Sequence, residues 1–83
     1  MDAETVFEVE QAGCESCAAL VRDVLEDVAP VVAITIDEAQ DMATVRLAPG
    51  AAASEEDIDR ILVEASHGSG HAYRVKRGSW RRA

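Results

Sequence analysis

From Thr5 to Glu10 apolar and polar positions alternate, with Thr5, Phe7 and Val9 on one side and Glu8 and Glu10 on the other, the period of a half-buried strand. The period then changes. After a turn at Gly13, Val21, Val24, Leu25 and Val28 fall at i, i+3, i+4 and i+7, which predicts a helix from about Glu15 to Val28 with one apolar face. Pro30 bars its continuation. Val32, Ile34 and Ile36 alternate with Val31, Ala33 and Thr35, and the polar stretch 37–41 separates this β-branched run from Ala43, Val45 and Leu47, so a hairpin is expected. Pro49 and Gly50 end its second arm, and 51–53 lead to Ser54, whose hydroxyl can cap a helix with Asp57 three residues on. Ile58, Ile61, Leu62 and Ala65 repeat the spacing of the first helix. The run His67-Gly68-Ser69-Gly70-His71 ends the second helix, Tyr73 and Val75 alternate with Arg74 and Lys76 as a short last strand, and residues from Gly78 on read as a frayed tail.

Two helical stripes of matching length need one sheet face between them. The order βαββαβ therefore predicts an α+β ferredoxin-like sandwich, with two helices on one face of a four-stranded antiparallel sheet. Right-handed crossovers set the strand order 4-1-3-2. Residues 1–77 form the expected domain and 78–83 a basic C-terminal tail.

With 83 residues there is apolar surface for one core, and a composition that is 48% hydrophobic and 29% charged is that of a globular chain. Charge is distributed unevenly. All 16 acidic residues lie between Asp2 and Glu64, whereas five of the eight basic ones (Arg74, Lys76, Arg77, Arg81 and Arg82) close the chain. Such an acidic body repels nucleic acid and anionic membranes and favours a partner with a basic surface. The acidic start and the lack of a long apolar run argue against an export signal and direct membrane insertion, so a cytoplasmic protein is expected. In that compartment the two cysteines stay thiols, which points to metal or redox chemistry rather than a disulfide framework.

Cys14-Glu15-Ser16-Cys17 falls where the first strand passes into the first helix. Unpaired backbone N–H groups at a helix N-terminus favour negative charge and lower a thiol pKa, which improves it as nucleophile and as ligand. Cys17 lies four residues before Val21 and shares the core-facing stripe, so it should be shielded and Cys14 exposed. Thiolates select Cu(I), Zn(II) and other soft ions. His67 and His71 are spaced like two zinc ligands, and with the cysteines they would make Cys2His2 if the fold brought them together. Met42 and Trp80 suggest packing or exposure and no site role.

The CxxC pair, its strand-to-helix position and the βαββαβ order resemble the heavy-metal-associated domain family, which includes copper chaperones and the N-terminal domains of metal-transporting P-type ATPases. The resemblance covers about Thr5 to Lys76. That family's motif reads Gly-Met-x-Cys-x-x-Cys, and Cys14 and Cys17 match its ligand cysteines, while Gln11 and Ala12 stand at its Gly and Met positions. The family methionine packs beneath the loop; here Gly13 is expected to supply some of the freedom the loop needs. Gly70-His71 matches a late family feature near the metal loop, which implies that His71 contacts the metal or a ligand sulfur.

The resemblance implies a non-enzymatic metallochaperone or metal-acceptor module. It would bind one Cu(I) between Cys14 and Cys17 and exchange it with a metal-transporting P-type ATPase or a similar dithiol partner. Glu15 would lean the site toward Zn(II) or another divalent ion if it joined the ligands. Two alternatives stand beside this reading. One is a dithiol-disulfide redox protein, against which there is no Trp before the pair and no Pro within it. The other is a regulatory interaction domain that binds Zn(II).

Overall fold

The computed structural model describes residues 3–50, 53–68 and 70–82. Met1, Asp2, Ala51, Ala52, Ser69 and Ala83, which the sequence reading assigns to the first segment, the lead-in to the second helix, the glycine-rich loop and the tail, lie outside the described residues. The elements are β1 (Thr5–Glu10), α1 (Glu15–Glu26), β2 (Val31–Asp37), β3 (Met42–Leu47), α2 (Glu55–Ser66), β4 (Arg74–Val75) and β5 (Arg81–Arg82). The sheet runs β2-β3-β1-β4 with every pairing antiparallel, the expected ferredoxin-like order.

The helix-facing side of the sheet follows the predicted alternation. Phe7, Val9, Ala43, Val45 and Leu47 are fully buried against Val21 and Leu25 of α1 and Ile58 and Leu62 of α2. α2 starts at the predicted cap, where Ser54 and Asp57 each accept a hydrogen bond from the other's backbone N–H.

Three expectations change. α1 ends at Glu26, because the Leu25 carbonyl accepts from the amides of Val28 and Ala29 at 2.9 and 3.0 Å and closes the helix. Val28 is thus released from the apolar stripe to the surface. In β2 the register shifts between Val31 and Ala33, so Val31, Ile34 and Ile36 stand opposite Leu47, Val45 and Ala43 while Val32 bulges out and is 50% exposed. Strict alternation groups Val32 with Ile34 and Ile36, whereas the bulge moves everything before it to the other side and puts Val31 in that row instead.

The third change concerns the residues expected to fray. Val9 pairs with Val75 and Val6 with Arg81, so three steps of β1 are matched by six of the final segment. β4 and β5 are one edge strand interrupted by a short excursion. Ser79, buried in that excursion, donates to the Lys76 carbonyl at 2.7 Å and accepts from the Glu8 amide at 3.0 Å, replacing the missing ladder bond. Trp80 then stacks on Phe7 with ring centroids 5.0 Å apart. The four expected strand positions are therefore kept, with the fourth made of two short segments, so that the sheet counts five strands.

Candidate metal site

β1 delivers the chain to the α1 N-terminus through residues 11–14. Gln11 takes a left-handed φ of 62° and its Oε1 accepts from the Ala72 amide at 3.1 Å, which ties this loop to the segment before β4. Ala12 is fully buried beneath the loop. Gly13 is not in a left-handed conformation. It is required for space, since a Cβ there would lie 2.5 Å from Asp41 Cα and 2.8 Å from Met42 N. Conformational freedom, the expected role of Gly13, is therefore replaced by close approach to the β2–β3 turn.

Cys14 is the N-cap of α1, and its sulfur accepts from the Cys17 amide at 3.3 Å. It is exposed, whereas Cys17 is 3% exposed in the first helical turn, and both are free cysteines. The two thiols are consequently unequal. Hydrogen bonding from the Cys17 side chain, then from the Ser16 hydroxyl and the Cys17 amide, holds the Cys14 thiol below its ordinary value. Burial pushes the Cys17 thiol up, and the negative Cys14 beside it adds to the shift.

His71 Nε2 lies 3.9 Å from Cys17 Sγ, and the His71 ring stacks on Tyr73 with centroids 5.6 Å apart. Tyr73, read from the sequence only as a strand residue, is buried, and its phenol interacts with the Cys17 sulfur. Burial foremost, then this sulfur, pushes the phenol up and keeps it neutral. His67 caps the C-terminus of α2 and is exposed. Among the described residues no group of three or more His, Cys, Asp or Glu side chains is gathered as a ligand set. What the fold assembles is a thiol pair with one imidazole beside its buried member. Glu15 and Ser16 are exposed between the cysteines, and of these the Ser16 hydroxyl reaches Cys14 Sγ at 3.4 Å.

Sequence reasoning missed Gln11 and Asp41 as supports of the loop, because their partners are 61 and 28 residues away. The late Gly-His feature was the one signal near Tyr73. No described helix is long and apolar enough to cross a membrane.

A family model described as "Heavy-metal-associated domain" matches residues 6–68. No curated protein sequence matches the chain. Among solved structures, the crystal structure of oxidized MerP from Ralstonia metallidurans CH34 is 18% identical, covers 90% of this chain and 100% of that one, and superposes with a TM-score of 0.54. Another, described as "Crosstalk between Cu(I) and Zn(II) homeostasis", is 19% identical, covers 84% of this chain and 96% of the other, and also gives 0.54. At these identities the likeness is one of fold.

Proposed function

The chain belongs to the heavy-metal-associated domain family, and from that premise we propose that it captures a soft metal ion between Cys14 and Cys17 and hands it on by thiolate exchange, with Cu(I) the favoured cargo. The observation that carries this reading is the unequal pair at the head of α1, one sulfur open and one covered. Two thiolates suit an ion content with two ligands, whereas structural Zn(II) takes four, and the described residues offer no larger ligand group.

Binding displaces one proton from each thiol. Cys14, whose thiol is already held low, engages first, and Cys17 closes the pair from the core side. An incoming partner thiolate adds to the ion on the exposed side and makes a three-coordinate intermediate. The bond to Cys14 then breaks, the partner's second thiolate adds to the ion, and the bond to Cys17 breaks last. The ion keeps its charge and no covalent bond of a substrate is cleaved, so the module is not an enzyme. We place the exchange in the reducing cytoplasm, with a metal-transporting P-type ATPase or a similar dithiol protein presenting a basic surface to the acidic body.

Competition of the reduced protein with bicinchoninate for Cu(I) tests the reading. One ion per chain is expected, with loss of binding in the Cys14→Ser, Cys17→Ser double variant; equal binding by that variant would sink it. His71 beside Cys17 favours one variation, a divalent ion with a nitrogen ligand. In that case His71→Ala weakens Zn(II) binding strongly, while two-coordinate Cu(I) binding hardly changes.

A further inference from the structure

The loop that carries Cys14 is held from outside its own element. Its Gly13 packs so closely on the β2–β3 turn that the atoms a Cβ would strike, Asp41 Cα, Asp41 C and Met42 N, all belong to backbone and cannot swing aside. Across this contact the Gly13 amide donates to Asp41 Oδ1 at 3.0 Å. The turn is itself braced, because Asp37 Oδ1 accepts from the Gln40 amide at 3.2 Å and the Glu38 carbonyl from the Asp41 amide at 3.3 Å. Asp41 holds a left-handed φ of 54°, a conformation that few residues besides Gly, Asn and Asp adopt readily.

The neighbouring positions make this contact matter. Gln11 is an unfavoured residue in its left-handed conformation, and Ala12 is a small side chain beneath the loop. Gln11 anchors the start of the loop through Ala72, but neither side chain holds the Gly13 amide. The Asp41 carboxylate does, and it reaches the Ala12–Gly13 peptide, one before the peptide that leads into Cys14, from a strand connection that carries no ligand of its own.

We propose that Asp41 is a positioning residue for metal capture, its carboxylate fixing the Gly13 peptide so that the Cys14 sulfur is held ready over the head of α1. The role rests on the dithiolate reading above. It is a geometric role: what the loop needs from Asp41 is an acceptor oxygen at the left-handed position of the turn. Asparagine supplies both and alanine supplies neither, so charge and geometry separate cleanly. Outer supports of metal ligands change affinity by about 10–100-fold when removed.

Asp41→Ala and Asp41→Asn in the full chain test the proposal by two measurements. The first is metal-free: amide hydrogen exchange by NMR is expected to show Gly13 N–H protected in the parent and in Asp41→Asn, and about tenfold or more faster in Asp41→Ala. The second is Cu(I) competition with bicinchoninate, where Asp41→Ala is expected to bind at least about tenfold more weakly and Asp41→Asn within about threefold of the parent. Thermal melts of both variants separate loss of the loop from loss of the fold. Unchanged Gly13 exchange in Asp41→Ala overturns the proposal, as does an Asp41→Asn variant as impaired as Asp41→Ala, since charge rather than the bond would then act. If the parent binds no Cu(I), the dithiolate reading fails while the exchange measurement still decides whether Asp41 holds the loop.

Discussion

Cys14 and Cys17 stand three positions apart, yet one sulfur faces water at the helix cap and the other faces the core. Alkylation reads this difference directly, because only the thiolate reacts. Cys14 has its thiol held low, so its reaction with iodoacetamide should rise through a midpoint below that of an ordinary thiol; Cys17, pushed up and covered, should label later and only at higher pH. Peptide mass spectrometry across a pH series checks the order, and equal rates would contradict it. This asymmetry was legible in the sequence, since the four-residue step from Cys17 to Val21 puts both on one helical face. Gly13 was not legible in the same way. Its reason lies in a backbone 28 residues away, and a glycine before a cysteine reads locally as freedom rather than as close contact.

Among the elements, β5 departs most from the sequence pattern. The stretch from Gly78 to Arg82 has a single large apolar side chain and shows no period, and what fixes it is nonlocal: Trp80 on Phe7 and Ser79 on Glu8. Trp80→Ala should therefore cost about 2–3 kcal/mol, below a fully buried tryptophan because the ring is half-covered, and urea unfolding measures it. Another tie joins α2 to the sheet edge. Asp59 accepts from the Val75 amide at 2.9 Å and from the Arg74 guanidinium at 2.9 and 3.2 Å, and the Arg74 hydrogen bonds foremost hold its carboxyl below the ordinary value of 3.8. A depressed carboxyl contributes stability above its unfolded value and loses it as pH falls through the folded one. The stability gap between the parent and Asp59→Asn should accordingly be full at neutral pH and shrink below about pH 4, which chemical denaturation at several pH values would reveal. A gap independent of pH would mean that the carboxylate's charge is stabilised by neither Arg74 nor the Val75 amide.

At the scale of the whole molecule, the layer order and strand order followed from periodicity and connection rules, since two amphipathic helices leave few ways to cover one sheet. Register did not follow, because Val31 and Val32 are the same residue type and alternation cannot say which is the extra one. That ambiguity falls on an edge. Among the described residues β2 pairs with β3 alone, so its far side is a sheet edge, running along a β-branched stretch whose one charge is the terminal Asp37. A straight strand of this kind would template the addition of another copy. Val32 breaks the template by bending the edge. Removing that one residue would leave Val31 and Ala33 adjacent, opposite Leu47 and Arg46, in unbroken register. Such a deletion variant should keep its fold and yet form thioflavin-positive fibrils at concentrations where the parent stays clear, so that a single unpaired valine would set how crowded a solution this protein tolerates.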